Sequence, residues 1–147
     1  MKIYVAADHA GFEVKKKILS LLKEHGYEPI NLGTDSIESV DYPEYAQKLA
    51  LRLQGDLDTR GILICGSGIG ISIAANRYKK IRAFVCHSTE EAIIARQHND
   101  ANVICFGARS MKWPLIKECL HKFLKEEFEG GRHERRVHKI DDCEDCV

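Results

Sequence analysis

Short apolar runs alternate along the chain with longer segments in which apolar residues recur at helical spacing. Residues 2–7 form the first apolar run, and from 12 to 25 apolar residues stand at 14, 18, 21 and 22, as on one face of a helix. Gly26 then supplies a typical helix stop. The beginning of the chain therefore predicts one strand followed by one helix.

The same alternation continues to about residue 127. Further strands are predicted at 27–32, 61–65, 82–86 and 102–106, and further helices at 43–54, 69–78, 89–97 and 111–127. The run 61–65 is apolar throughout, which is typical of a strand buried on both faces. A helix follows every strand, after a polar loop in the case of the second. This order predicts an α/β protein: a three-layer α/β/α sandwich with a five-stranded, parallel, Rossmann-like sheet.

Two glycines at 130 and 131 separate this body from a charged tail. We therefore expect a Rossmann-like domain over 1–129 and a C-terminal arm over 130–147, within the normal length of one domain with a tail. Lys plus Arg and Asp plus Glu both number 22, so the formal net charge is zero. This balance argues against nucleic acid or an anionic membrane as the main partner. No run approaches the roughly 20 apolar residues that cross a bilayer, and a cytoplasmic location is expected.

The chain has six cysteines, an even number. Because no secretory signal precedes them, free thiols are expected rather than disulfides. Three lie in apolar stretches, where a small buried hydrophobe is the ordinary role: Cys65, Cys86 and Cys105. The tail pair Cys143 and Cys146 lies near two histidines, but its spacing fits no standard zinc finger. No metal is expected.

The clearest candidate site is the turn after the third strand, Cys-Gly-Ser-Gly-Ile-Gly at 65–70. Ligands of open α/β sheets bind outside the carboxyl ends of the strands. A glycine-rich turn that enters a helix offers backbone N–H groups to an anion and favours the thiolate of a cysteine held there. Cys65 is therefore a candidate reactive thiol, although a role as the last core residue of its strand is equally well supported. Asp8 and His9 end the first strand.

Three familiar phosphate-binding motifs do not fit this turn. The dinucleotide fingerprint should follow the first strand, and Ile71 stands where its last Gly or Ala is required. Ile71 also occupies the position of the arginine in a C-x5-R phosphatase loop, and the Gly-Lys-Ser/Thr of a Walker loop is absent. What remains is a small anion-binding turn that carries the Cys65 thiol and the Ser67 hydroxyl.

Arginines near the end of the chain form a second candidate anion site. Arg132 and Arg136 are four residues apart and share a face if the segment is helical. Their forked donors suit phosphate, but for an arbitrary tail a solvated basic patch is the commoner role. Arg109, just after the last strand, is a third candidate. His98 is expected in the loop between a helix and the last strand, where a lone histidine is usually structural or exposed.

Five segments occur together and in order. They are Asp-His-Ala-Gly at 8–11, Asp-Tyr-Pro at 41–43, Gly-Ile-Leu-Ile-Cys-Gly-Ser-Gly-Ile-Gly-Ile-Ser-Ile-Ala-Ala-Asn at 61–76, Arg-Gln-His-Asn-Asp-Ala-Asn at 96–102 and Glu-Gly-Gly-Arg-His-Glu-Arg-Arg at 129–136. In combination they resemble the type B ribose-5-phosphate isomerase family, whose wider group includes galactose-6-phosphate isomerase. The resemblance runs from residue 1 to about 141, and only the last residues look private to this chain.

The resemblance implies an aldose–ketose isomerase that interconverts ribose 5-phosphate and ribulose 5-phosphate through an enediolate, with no cofactor. Cys65 would be the base that moves a proton between C1 and C2, and His98 would open the furanose ring. Ser67 would help to hold the enediolate, and Asp8 would assist ring opening. The residues implied for substrate binding are Asp8, His9, Tyr42, Gly66, Ser67, Gly68, Ile69, Gly70, Asn99, Arg109, Arg132 and Arg136. Some relatives use a glutamate further along the turn as base, but Ile71 and Ser72 offer none.

Other functions stay open at this point. The substrate could be a six-carbon sugar phosphate, allose 6-phosphate or galactose 6-phosphate, because one sequence does not rank these sugars. A non-catalytic sugar-phosphate-binding module would need the anion site but neither Cys65 nor His98. A subunit of a hetero-oligomeric isomerase is a further alternative, although this chain retains the thiol, the histidine and both tail arginines.

Topology predicts that the site is shared between two chains. Cys65 ends a strand, whereas His98 precedes one, so in a parallel sheet the two lie at opposite edges. A five-residue strand spans roughly 17 Å, beyond hydrogen-bond reach. We therefore expect a homodimer or a dimer of dimers, in which a two-fold axis brings the partner's His98 to this turn. The C-terminal arm would reach the partner in the same way.

Overall fold

The computed structural model describes residues 1–143, which form five strands and six α-helices. The strands are β1 (Lys2–Ala7), β2 (Glu28–Asn31), β3 (Arg60–Cys65), β4 (Ala83–Val85) and β5 (Val103–Gly107). The helices are α1 (Phe12–Glu24), α2 (Tyr42–Gln54), α3 (Ile69–Ala75), α4 (Thr89–Asn99), α5 (Trp113–Lys125) and α6 (Arg132–Asp141). A single turn of 3-10 helix, His9–Gly11, precedes α1 and was not expected from the sequence.

The sheet has the order β2-β1-β3-β5-β4, and all neighbouring strands are parallel. Helices α1, α4 and α5 cover one hydrophobic cluster, and α2 and α3 cover the other. The predicted three-layer α/β/α sandwich is therefore confirmed. In the sheet, β2 lies on one side of β1, whereas β3, β5 and β4 lie on its other side. The strand order therefore reverses between β1 and β3, which is the topological switch point. This crevice is where open α/β sheets bind ligands.

The two faces of the sheet explain the apolar runs in the sequence. In β1, Ile3 and Val5 belong to one hydrophobic cluster, whereas Tyr4 and Ala6 belong to the other. Successive side chains of a strand point to opposite faces, and both faces here are covered by helices. The central strands are therefore apolar at every position, which is the pattern seen at 61–65.

Helix α4 is longer than predicted and includes His98 and Asn99 in its last turn, so the expectation that His98 lies in a loop is wrong. The helix is terminated by Asp100, the residue after its last turn, which adopts a left-handed conformation with φ of 47°. Arg96 stabilises this end, because its guanidinium lies 2.8 Å from the Asp100 carboxylate. Cations near a helix C-terminus are favourable. Helix α3 is shorter than predicted, since Asn76 leaves it to bind both main-chain polar groups of Ala83.

The tail forms helix α6, which packs against α4 of its own chain. His133 and Val137 are the buried residues of this helix. At its end, Asp141 lies 2.8 Å from the guanidinium of Arg82. The division into a domain of residues 1–129 and an arm of residues 130–147 stays a prediction.

Four cysteines among residues 1–143 carry free thiols: Cys65, Cys86, Cys105 and Cys119. Cys143 is disulfide-bonded, so the expectation of free thiols is wrong at that position. Cys146 lies outside the described residues. In the described part of the chain, the helices are too short or too polar to cross a membrane.

Candidate active site

The β3–α3 turn presents a thiol to a backbone donor. Cys65 is the last residue of β3 and is only 4% exposed. The Gly68 N–H donates to its Sγ at 3.2 Å. This donor fixes the position of the sulfur at the turn, and a cysteine held in this way can serve as a base or a nucleophile.

Gly68 is required for this geometry. Its φ is 80°, and a Cβ added there would lie 3.0 Å from the Phe106 carbonyl carbon and 3.1 Å from the Gly107 nitrogen. The turn therefore rests directly on the end of β5. The Ala108 N–H donates to the Cys65 carbonyl at 2.9 Å and so also joins the turn to the end of β5.

A hydroxyl and a guanidinium stand beside the thiol. The exposed Ser67 accepts a hydrogen bond from the Ile69 N–H through its Oγ at 3.1 Å. The Arg109 N–H donates to the Gly66 carbonyl at 3.0 Å, and the Arg109 guanidinium lies over Gly66. Arg109 is thus placed at the turn of its own chain, and its positive charge suits an anionic ligand there.

The end of β1 forms the other side of the crevice. Asp8 is buried, and its Oδ1 accepts from the Gly11 N–H at 3.1 Å, which caps the 3-10 turn. The Asp8 N–H donates to the Ile64 carbonyl, directly before Cys65. His9 accepts the Val40 N–H at Nδ1, at 3.2 Å. Since Nδ1 is an acceptor, the proton of the neutral ring sits on Nε2, which remains a donor.

Tyr42 begins helix α2 and lies against the turn. A Cβ on Gly70 would come within 2.5 Å of the Tyr42 ring, so only glycine allows this approach. The structure therefore brings together ten of the predicted residues at the carboxyl edge of β1, β3 and β5, namely all except those in α4 and α6. The gathered set is Asp8, His9, Tyr42, Cys65, Gly66, Ser67, Gly68, Ile69, Gly70 and, after β5, Ala108 and Arg109, of which Ala108 was not predicted.

His98 and Asn99 lie at the opposite edge of the sheet. Shortly after them, the Asn102 carbonyl accepts the Gly61 N–H at 2.8 Å, at the amino end of β3. Cys65 stands four residues further along that strand, about 13 Å away at the usual rise per residue. Within one chain, the structure therefore does not bring His98 to the thiol.

A second cluster surrounds His98. Its ring stacks on that of His133, with centroids 4.2 Å apart and planes inclined by 10°. Burial lowers the pKa of His133, and the neighbouring His98 and Arg132 add to this. Arg132 and Arg136 are exposed on the same helix. His133 was not predicted as a site residue, although its spacing of four from the apolar Val137 indicates the inward face of α6.

The same cluster offers three possible metal-binding side chains. Ligand atoms of His98, Glu129 and His133 all lie within 4.8 Å of one another. An imidazole binds a metal through a ring nitrogen, in the plane of the ring. Because the two rings are stacked in parallel, their nitrogens do not converge on one point, and this arrangement does not fit a shared ion.

Two grooves lie away from the thiol. One of about 640 Å³ runs between α1 and α5, and one of about 450 Å³ lies between the α3–β4 connection and the end of α6. Asn99 lines the second groove, but Cys65 lines neither. The turn itself opens on the surface of the single chain, where Ser67, Ile69 and Arg109 are exposed.

A buried thiol with a backbone donor, set in a glycine-rich turn at the switch point of a parallel sheet, is the arrangement of an α/β enzyme that binds a small ligand at its strand ends. The chain belongs to the Ribose/Galactose Isomerase family, which it matches over residues 3–140. It is 48% identical to ribose-5-phosphate isomerase B of Escherichia coli over 139 residues, covering 95% of this chain and 93% of that protein.

Solved structures agree with this assignment. Ribose-5-phosphate isomerase B of Clostridium thermocellum superimposes with a TM-score of 0.95 at 46% identity, covering 98% of this chain and 97% of that one. The enzyme of Mycoplasma genitalium, solved with bound ribulose-5-phosphate, gives a TM-score of 0.95 at 38% identity, covering 99% and 97% of the two chains.

Proposed function

We propose that this protein is an aldose–ketose isomerase that interconverts ribose 5-phosphate and ribulose 5-phosphate. The observation that carries the proposal is the Cys65 thiol, held at an anion-binding turn by the Gly68 N–H. The reaction needs a base, a stabiliser for a developing oxyanion and an anchor for phosphate. The two strand ends and the arginines supply all three, and relatives named for this reaction match the whole fold.

The proposed chemistry is a proton transfer between adjacent carbons. The Cys65 thiolate takes the proton from C2 of the open-chain aldose, and the electron pair of that C–H bond forms the enediolate. The N–H groups of 66–70 and the Ser67 hydroxyl stabilise the negative oxygen. The thiol then returns the proton to C1, while the proton on O2 passes to O1, so that no atom or electron is gained or lost.

Substrate binding is assigned to groups at both ends of the sugar. Asp8 and the Nε2–H of His9 bind sugar hydroxyls, with Tyr42 at the rim. Arg109 at the turn, and Arg132 and Arg136 of the C-terminal arm, bind the phosphate with charge-assisted hydrogen bonds. The phosphate is remote from C1 and C2 of the sugar. Binding it positions these reacting carbons without taking part in the proton transfer.

The functional unit that fits this chemistry is a homodimer with shared sites. His98, proposed to open the furanose ring, and Asn99 lie at the far edge of the sheet from Cys65, so a second copy must supply them. Next to the turn, Ile69 and Ile73 are 55% and 61% exposed, an apolar surface that a second copy would cover. The tail arginines would cross with His98, which gives the arm 130–147 its role.

A mixing experiment tests the shared site. Cys65→Ala and His98→Ala proteins, each inactive alone, are combined under conditions in which subunits exchange. Mixed dimers then carry one intact site of two, and activity returns. If exchange is demonstrated by labelled subunits and no activity returns, each site takes both residues from one chain.

Turnover by the purified protein tests the function itself. Ribose 5-phosphate, allose 6-phosphate and galactose 6-phosphate are supplied separately, and ketose formation is measured; we expect ribose 5-phosphate to be used best. Cys65→Ala should lose at least about a hundredfold in kcat, the usual contribution of a general base. Cys105→Ala, which removes another buried thiol of the same hydrophobic cluster, is the control. Tight binding of the sugars without turnover would instead favour a binding module. A cytoplasmic location is also part of the proposal. The four buried free thiols support it, whereas the disulfide at Cys143 does not.

A further inference from the structure

Helix α1 carries a buried lysine whose side chain reaches the end of β2. Lys15, on helix α1, is only 1% exposed, whereas the two lysines that follow it directly, Lys16 and Lys17, are exposed. Its Nζ donates to Asn31 Oδ1 at 2.8 Å and to Asp35 Oδ1 at 3.2 Å. A buried ammonium is retained only where its hydrogen bonds are satisfied, so these two contacts account for its position.

The partners of Lys15 organise the loop that leads from β2 to α2. Asn31 Nδ2 donates to Asp35 Oδ1 at 2.8 Å, and the Gly33 N–H donates to Asn31 Oδ1 at 2.9 Å. The pKa of Asp35 is lowered, chiefly by the hydrogen bond from Asn31, with Lys15 adding to it. Lys15, Asn31 and Asp35 thus form one closed network at the start of the loop.

The other end of the same loop holds His9. Near the start of the loop, two hydrogen bonds join it to the end of β1. The Ala7 N–H donates to the Gly33 carbonyl and the Thr34 N–H donates to the Ala7 carbonyl, each at 2.8 Å. Five residues after Asp35, the Val40 N–H donates to His9 Nδ1. The placement of this one amide decides which ring nitrogen of His9 carries the proton.

We propose that Lys15 is a positioning residue for substrate binding: through Asn31 and Asp35 it holds the 33–40 loop, whose Val40 N–H fixes the orientation and the Nε2–H tautomer of His9. Lys15 itself does not touch the sugar. The consequence for substrate binding rests on the role given to His9 in the proposed function, whereas the effect on the His9 ring does not.

The test separates this role from a contribution to folding alone. Asp35→Ala removes an exposed carboxylate and leaves the Lys15–Asn31 hydrogen bond, so the protein should fold. Glu38→Ala removes an exposed carboxylate from the same loop and serves as the matched control. Lys15→Met, which keeps the length of the buried stem, removes both Lys15 hydrogen bonds and leaves the Asn31–Asp35 and Gly33–Asn31 bonds in place. It should change the His9 ring in the same direction as Asp35→Ala, and it is compared where it folds.

Two readouts decide the result. In the protein without substrate, nitrogen NMR of the His9 ring should show one fixed tautomer in wild type and in Glu38→Ala, and an averaged mixture in Asp35→Ala. With ribose 5-phosphate, Asp35→Ala should raise KM by about 2- to 12-fold, the worth of one hydrogen bond, with kcat changed less than twofold. An unchanged His9 ring in Asp35→Ala overturns the proposal. A changed ring in a protein that turns over no sugar phosphate would uphold it and refute only the proposed function.

Discussion

Replacing Gly68 by alanine tests whether the packing of the β3–α3 turn creates the candidate active site. The residue has φ of 80°, a conformation that costs an alanine about 1–2 kcal/mol. The new Cβ would also approach main-chain atoms of Phe106 and Gly107 at 3.0–3.2 Å. Those atoms belong to a central strand and cannot withdraw, so the turn must shift.

The structure offers a matched control for the strain. Gly26 has the same φ of 80°, but a Cβ there meets nothing within 4 Å. Gly26→Ala therefore carries only the conformational cost of about 1–2 kcal/mol. Gly68→Ala carries that cost plus about 1–3 kcal/mol for overpacking, about 2–5 kcal/mol in all. At about 2–4 °C per kcal/mol for a chain of this size, the Tm should fall by about 2–8 °C in the first and further in the second.

The activity should separate the two variants more sharply. In the structure the Gly68 nitrogen lies 3.2 Å from the Cys65 sulfur. A shift of the turn in Gly68→Ala would lengthen this distance and weaken the hydrogen bond. A hydrogen bond to a charged group contributes about 1.5–3 kcal/mol, so kcat/KM for ribose 5-phosphate should fall about 10- to 150-fold. Gly26→Ala should stay within about twofold of wild type, since it lies beyond helix α1.

The measurements are thermal unfolding and steady-state kinetics on both variants. If Gly68→Ala loses no more Tm than Gly26→Ala and keeps the kcat/KM of wild type, the contact of the turn with β5 does not hold the Gly68 N–H against the Cys65 thiol. Equal losses of activity in both variants would show a general effect of destabilisation instead.

Two further predictions concern helix α6. Arg132→Ala or Arg136→Ala should raise KM for ribose 5-phosphate by about 10- to 150-fold, the worth of a charge-assisted hydrogen bond, while Arg135→Ala, also exposed on this helix, should leave it unchanged. Similar increases in all three would indicate a diffuse charge effect. The pKa of His133 is lowered below 6.5, chiefly by burial, so the folded chain binds fewer protons than the unfolded chain and loses stability as the pH falls below 6.5. His133→Gln should flatten the fall in Tm between about pH 7 and 5, whereas the exposed His121→Gln should not; an unaltered slope in His133→Gln would contradict this.

Local patterns were enough to predict most of the architecture. An apolar run marks a buried strand, and helical spacing marks an amphipathic helix, because both depend on residues close in sequence. The order of these elements then implied the parallel sheet and placed Asp8 and Cys65 at one edge, with His98 at the other. The end of α4 was misjudged because the Arg96–Asp100 ion pair and the left-handed Asp100 that shape it are not visible as a pattern.

Sequence by itself therefore determined the five strands, the first five helices apart from some of their ends, the edge of the sheet at which the thiol lies and, through its resemblance to a family, the chemistry to expect. Only the tertiary structure decided that β5 lies beside β3, so that Arg109 and the end of β5 pack on the turn and make Gly68 indispensable. It also decided that Lys15 is buried while its neighbours Lys16 and Lys17 are exposed. The reason is physical: helical spacing shows which residues share a face, but the partners that satisfy a buried charge come from segments 16 and 20 residues away, and only folding brings them together.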